Sequence, residues 1–241
     1  MWWIKIIENL SMQRAILISV LMFFTIVSYS QDLNTILKKH LEAHGQELWD
    51  QVKTVVIDGE WVTQEFQKYP MKLTFKSPNK IRIEGNWGGK RYAEVSNGKI
   101  AWAVAPWTGT SKPQLMAPLE HLIIENIYSL GSSLKPYAND VKLDGFLLYE
   151  GELLIKLSFE NDYIKRDFYI DKDDYKLYWE VIESKVGSRL IIKKQYEKYR
   201  DYQGLLTPTS VRVFTKDSQK ELIFENVSLG LGASNSLFEM P

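Results

Sequence analysis

The strongest constraint on this chain is a change in its hydrophobic period at about residue 54. Beyond that point apolar side chains recur every second residue. Val55, Ile57 and Trp61 share one face of the stretch 54–61, and Met71, Leu73 and Phe75 alternate with Lys72, Thr74 and Lys76. Ile81 and Ile83 alternate with Lys80, Arg82 and Glu84. Successive side chains of a strand point to opposite faces, so this pattern predicts antiparallel strands with one apolar and one wet face. Further strands are expected at 141–149, 153–159, 165–170, 176–183, 189–199, 210–215 and 221–228. They are joined by short connections carrying Gly, Asp or Asn, which favour a meander over βαβ crossovers. Asn97-Gly98 predicts a two-residue hairpin with a type I′ turn, because both of its central positions need φ > 0.

Two segments follow the helical period instead. Leu33, Ile36, Leu37, Leu41 and Leu48 form a stripe over 32–48, with Gly45 breaking it before a last turn through Trp49. Met116, Leu119, Leu122, Ile123, Ile127 and Leu130 form a second stripe over 116–130, with Pro118 in the first turn. No Pro-, Ser- or Gly-rich linker divides the strands. The expectation is one domain, residues 31–241, of about ten strands and two helices, whose sheet curls to protect its edges.

Residues 1–30 read differently. Ala15 to Val27 is an uncharged apolar run of thirteen residues preceded by Arg14. A bilayer span needs roughly 20 apolar residues, so the run has the length of a signal-peptide core. Small residues Ser28 and Ser30 set a cleavage site before Gln31, and Met12 offers an alternative start. The expectation is export to the periplasm; an uncleaved anchor is the alternative. The chain has no cysteine, so an exported form holds together without disulfides and carries no lipid on a cysteine of its own. Loss of residues 1–30 removes Lys5, Arg14 and Glu8, leaving 28 basic and 29 acidic side chains. That balance offers no basic excess for a nucleic acid.

Sites for chemistry are sparse. His40 and His44 have metal-compatible i, i+4 spacing. Without cysteine or a suitably spaced acidic ligand, they are expected at the helix surface beside the stripe, as is His121. Asp171, Asp173 and Asp174 resemble part of a calcium loop but lack its Gly and Glu, and a hairpin turn is expected there. Gly85-Asn-Trp-Gly-Gly89 lacks dinucleotide-binding spacing, and no G-x-S-x-G elbow is present. No catalytic residue, metal or cofactor is expected. Abundant apolar and aromatic residues, 13% of the chain being Phe, Trp or Tyr, suit an ordinary core and a half-closed barrel with a greasy concave side equally well. Trp61, Trp102 and Trp107 fit both.

Several stretches resemble the LolA-like family of periplasmic lipoprotein carriers. FKSPNKIRI (Phe75–Ile83) is similar to the family's strand–Lys-Arg-Pro-Asn–strand corner, and VSNGKIAWAVAP (Val95–Pro106) to its hairpin. FYIDKDDYKL (Phe168–Leu177) resembles its late Asp turn, and SLFEMP (Ser236–Pro241) its terminal F-x-x-P. The resemblance implies a curved antiparallel sheet forming an incomplete barrel lidded by helices. It also implies a monomeric carrier that takes acyl chains of lipoproteins, or another lipid, from an inner-membrane ABC transporter to an outer-membrane receptor. Candidate cavity residues are Trp61, Met71, Leu73, Phe75, Ile81, Ile83, Trp102, Met116, Leu119, Leu122 and Ile123. The family's Arg before Pro, which ties sheet to lid, falls on Ser77; Lys76 is one residue off and should face the other way. The alternative is a non-carrier interaction or scaffold protein of the cell envelope on the same fold.

Overall fold

A computed structural model describes residues 32–241 apart from 187–189 and 217, with only the backbone of Leu119. The expected leader, the cleavage site at Ser30/Gln31 and the alternative start at Met12 lie outside the described residues. The chain divides into two compact units, Met1–Ile36 and Leu37–Pro241. The described part of the first, residues 32–36, opens helix α1 (Leu33–Ala43). The second unit holds everything that follows.

Helix α1 ends at the expected glycine and a short helix α2 (Gln46–Trp49) follows. Gly45 has φ +64°, and a Cβ there would stand 1.9 Å from the Gly204 carbonyl oxygen, so both backbone angle and space demand glycine. Thirteen strands follow. They are β1 (Thr54–Thr63), β2 (Lys68–Lys76), β3 (Lys80–Trp87), β4 (Lys90–Ser96), β5 (Ala101–Val104) and β6 (Gln114–Leu115), then β7 (Lys142–Tyr149) and β8 (Glu152–Glu160). The last are β9 (Ile164–Asp171), β10 (Leu177–Ser184), β11 (Ile191–Tyr202), β12 (Leu205–Phe214) and β13 (Gln219–Leu229). All lie in one antiparallel sheet of order β6-β5-β4-β3-β2-β1-β13-β12-β11-β10-β9-β8-β7.

That order carries the architecture. The chain meanders outward from β1 to one edge, crosses to the opposite edge at β7, and meanders back until β13 pairs with β1, Ile57 opposite Val227 and Trp61 opposite Leu222. The sheet stays open, with β6 and β7 as its two edges: an incomplete barrel, as expected. The crossover contains helix α3 (Pro118–Glu125).

The hairpin at Asn97-Gly98 forms, but not with the expected turn. Only Gly98 has positive φ; Asn97 instead accepts the backbone N–H groups of Lys99 and Ile100 on its side-chain oxygen at 3.0 Å each, closing a four-residue loop. The paired positive φ values of type I′ turns occur at Gly88-Gly89, Glu150-Gly151 and Gln203-Gly204. The expected Asp turn forms at Asp171, whose carboxylate accepts the N–H groups of Asp173 (2.7 Å) and Asp174 (3.0 Å).

Alternation sorts the side chains as the sequence implies. Val55, Ile57, Leu73, Phe75, Ile81, Ile83, Ile182, Ile192, Val211, Leu222 and Phe224 belong to one buried cluster on the inner face. On the outer face the C-terminal tail crosses β2–β5. Phe238, fully buried, packs on Ala93, Val95 and Trp102. The Lys76 ammonium donates to the Ala233 carbonyl (2.6 Å), and Arg82 to the Leu237 carbonyl (3.0 Å). Lys76 therefore points away from the crossover, and Phe238 explains the terminal Phe motif. Phe238→Ala should cost about 3 kcal/mol of stability through the lost burial and the cavity left behind. Urea unfolding followed by tryptophan fluorescence, with Trp102 as a local reporter, would measure it.

Candidate functional site

The inner face is covered by the crossover between the two edges. Pro118 opens α3, and the Glu120 carboxylate accepts the Ala117 N–H at 2.9 Å. Ile124, Ile127 and Tyr128 enter the inner-face cluster, the Tyr128 ring 5.8 Å from Phe75 and 5.9 Å from Phe224. α3 separates two clefts. One, of about 390 Å³, is bordered by Trp107, Leu115, Met116, Ile123, Ile127 and Val213. The other, of about 550 Å³, is bordered by Phe75, Ile81, Leu122, Tyr128, Arg166 and Lys194 among others.

Of the candidate cavity residues, the structure gathers Met71, Leu73, Phe75, Ile81 and Ile83 in the buried inner-face cluster. Trp61, Met116, Leu122 and Ile123 pack against it, partly buried. The Leu119 side chain is outside the described residues. Trp102 is a correction: β5 places Ala101 inward, so Trp102 faces outward onto Phe238.

Helix α3 is shorter than the stripe over 116–130 predicts. It ends at Asn126 because tertiary contacts claim that residue. Lys194 donates to its carbonyl oxygen (2.8 Å), Arg166 donates to its side-chain oxygen, and its own amide donates back to Leu122 O (2.7 Å). Cations at a helix C-terminus also match the negative end of its dipole.

Those cations belong to a buried group on β9–β11. Arg166 donates to Glu180 Oε1 (2.7 Å); Lys194 (2.6 Å), Tyr196 (2.7 Å) and Ser133 (2.9 Å) reach Glu180 Oε2. Burial pushes the Glu180 carboxyl up, but the Lys194 and Arg166 charges and the hydrogen bonds outweigh it and hold the pKa at about 2. Burial lowers Lys194, partly offset by Glu180. The group thus ties three strands to the crossover, the task Ser77 and Lys76 leave undone. A sequence signal for it existed: Arg166 is in phase with Phe168 and Ile170, and Lys194 with Ile192, so each breaks an otherwise apolar row.

The histidines correct another expectation, for His40 and His44 are buried rather than on the helix surface. His40 Nδ1 meets Tyr175 O at 2.7 Å and Nε2 meets Ser132 Oγ at 2.6 Å, while His44 Nε2 accepts the Leu177 N–H at 3.2 Å. Burial lowers His40 to about 4; burial, then the neighbouring His40, lowers His44 well below its usual value. His121 is half-buried between Glu125 (2.9 Å) and Ser96 (3.2 Å). Among the described residues no group of three or more His, Asp or Glu could hold a metal ion.

An open antiparallel sheet whose two edges are joined across its own inner face by a helical crossover defines a class of half-barrel proteins. It is the LolA-like fold. Solved structures that share it include a LolA superfamily protein from Nitrosomonas europaea, 15% identical, covering 87% of this chain and 98% of that one at TM-score 0.58. A DUF1329 family protein from Desulfovibrio piger is 14% identical, with 87% and 98% coverage and TM-score 0.60. A domain from Vibrio parahaemolyticus described as an outer membrane lipoprotein-sorting protein is 12% identical, with 86% and 97% coverage and TM-score 0.56. No family model and no curated protein matches the sequence.

The histidines make stability depend on pH with a definite sign. Between pH 6.5 and about 4 the unfolded chain binds a proton at His40 that the folded chain refuses. Stability from His40 is therefore complete above pH 6.5 and falls as pH drops toward 4, by roughly 1.4 kcal/mol per pH unit, and His44 acts in the same direction. Glu180 contributes only lower, between its usual value and about 2. Urea titrations at pH 7.0 and 5.5 should show the loss, and His40→Gln should remove His40's share of it.

Proposed function

We propose that this protein is a lipid carrier of the periplasm, binding acyl chains of lipoproteins or another lipid between the inner face of its sheet and the crossover. The observation that carries the reading is an apolar sheet face under a short crossover element, α3 and its continuation, with Trp49 of α2 beside it and a cleft on either side of α3. Both clefts fall within the roughly 300–1,000 Å³ range of small-molecule sites. Each acyl CH₂ withdrawn from water gains about 0.8 kcal/mol, enough to drive the crossover's own apolar residues aside when a long chain enters. Delivery toward the outer membrane, from a transporter to a receptor, is part of the same reading and rests on the fold likeness.

A binding role fits the chemistry better than catalysis. Glu180, the fully buried carboxylate beneath the crossover, is held ionised by two cations, and a carboxylate with a pKa near 2 is a poor proton donor or acceptor at neutral pH.

Ile123 borders the smaller cleft while its neighbour Leu122 borders the larger, so α3 presents opposite sides to the two. Ile123→Glu should abolish binding of a fluorescent acyl probe while leaving the far-UV circular dichroism of the sheet unchanged. Equal probe affinity in a folded Ile123→Glu protein would contradict acyl binding beside α3.

The second reading, an envelope interaction protein, draws on the edge hairpin β7–β8. There Phe146, Leu147, Leu148, Tyr149 and Leu153 are all exposed, Leu148 at 70%. If that tip is the functional surface, Leu148→Lys should abolish partner capture with acyl binding untouched.

A further inference from the structure

The buried charges beneath the crossover do not balance. Arg166, Lys194 and Glu180 are each at least nine-tenths buried, and they carry two positive charges against one negative. The remaining partners of the cations are neutral: the side-chain oxygen and carbonyl of Asn126, and the ring of Tyr137, over which the guanidinium lies at 4.7 Å. The Arg166 Nε–H is buried with no hydrogen-bond partner among the described residues. A buried charge left uncompensated is costly, and so is a buried donor left unpaired.

Both cations border the 550 Å³ cleft, alongside the apolar side chains of Phe75, Ile81, Leu122 and Tyr128. Two carboxylates also border it, both partly exposed: Asp50 pairs with Lys135 at 2.9 Å, and Glu125 accepts from Ser96 at 3.3 Å and lies 2.9 Å from the His121 ring. The excess positive charge is thus confined to the buried part of the cleft, next to its greasy wall. Ser129 borders the same cleft, while the Ser132 and Ser133 hydroxyls there are engaged with His40 and Glu180.

We propose that this cleft recognises the anionic head group, a carboxylate or phosphate, of a single-chain or multi-chain amphiphile whose hydrocarbon lies against the apolar wall. The head group supplies the missing negative charge, accepts from Arg166 and Lys194, and competes with Asn126 for both. Cargo entry therefore loosens the end of α3 that the cations otherwise hold, coupling recognition of charge to displacement of the crossover. This inference rests on the carrier reading and narrows its cargo to acidic lipids.

The test compares ligands that share a chain and differ in charge. Calorimetric titration of the full mature chain at pH 7.5 with dodecanoate should give an affinity about tenfold or more above that for dodecanol, the yield of one charge-assisted hydrogen bond. Inorganic phosphate or acetate alone should not displace dodecanoate. Arg166→Gln leaves the Glu180–Lys194 pair intact and cancels the excess charge; it should erase the preference for dodecanoate over dodecanol, read as the ratio of the two affinities. Lys194→Met does the same through the other cation and serves if the first variant fails to fold. Equal affinity for dodecanoate and dodecanol in the wild type would overturn the proposal and leave the carrier reading standing, as would an undiminished preference in either folded variant. Displacement by phosphate alone would overturn the amphiphile and assign the cleft to a free anion. Binding of neither dodecyl ligand would overturn the carrier reading itself.

Discussion

A single carboxylate, Glu180, gathers Arg166, Lys194, Tyr196 and Ser133, and through the two cations it decides where helix α3 stops. Without that anchoring, the apolar stripe from Met116 to Leu130 has the period to continue as one helix. With it, the carbonyl of Asn126 is claimed by Lys194, and the chain beyond turns into the inner face as Ile127 and Tyr128. The position of the crossover, the existence of separate clefts on its two sides, and the closure of the sheet's inner face all follow from that end point. Each hydrogen bond that Glu180 and its cations make has its own direction, so the group fixes a geometry that apolar packing alone would leave loose.

The sheet supplies the other half of the design. Because β13 returns to pair with β1, the two edges β6 and β7 are the ends of one meander in each direction, and the crossover runs between them. Strand alternation then gives two faces with different covers. The inner face receives α3 and its continuation, with Trp49 of α2 beside them; the outer face receives the C-terminal tail, pinned by Phe238 and by donors from Lys76 and Arg82. A cover built from one short helix and an irregular segment lacks the ladder of hydrogen bonds that holds the strands, and belongs to the part of a fold that opens most cheaply.

Much of this was legible in the sequence, and for a physical reason: strand alternation reports burial directly. Met71, Leu73, Phe75, Ile81 and Ile83 fall where their period puts them, and Gly45 breaks the first helix where backbone geometry requires glycine. The lapses have causes too. Trp102 reads as an inner residue by size, yet Ala101 holds the inward position and the period of two leaves Trp102 outside. His40 and His44 look like helix-surface residues because the polar partners that let them be buried, Tyr175 O, Ser132 and the Leu177 N–H, are distant in sequence. Asn97-Gly98 has the composition of a type I′ turn, but the Asn side chain bonds the backbone locally and selects a longer loop. The charged group on β9–β11 was visible as breaks in apolar rows, although no local pattern says that three such breaks converge.

A carrier of this architecture requires a crossover that opens independently of the sheet beneath it. Hydrogen exchange of the free protein, read by mass spectrometry, measures this most directly. Amides of residues 118–130 should exchange through an opening that leaves β1 and β13 protected, and Arg166→Gln should speed that exchange without affecting the central strands. If 118–130 instead exchanges in step with β1 and β13, at the rate of global unfolding, the crossover is a fixed part of the core and cannot open to admit a lipid.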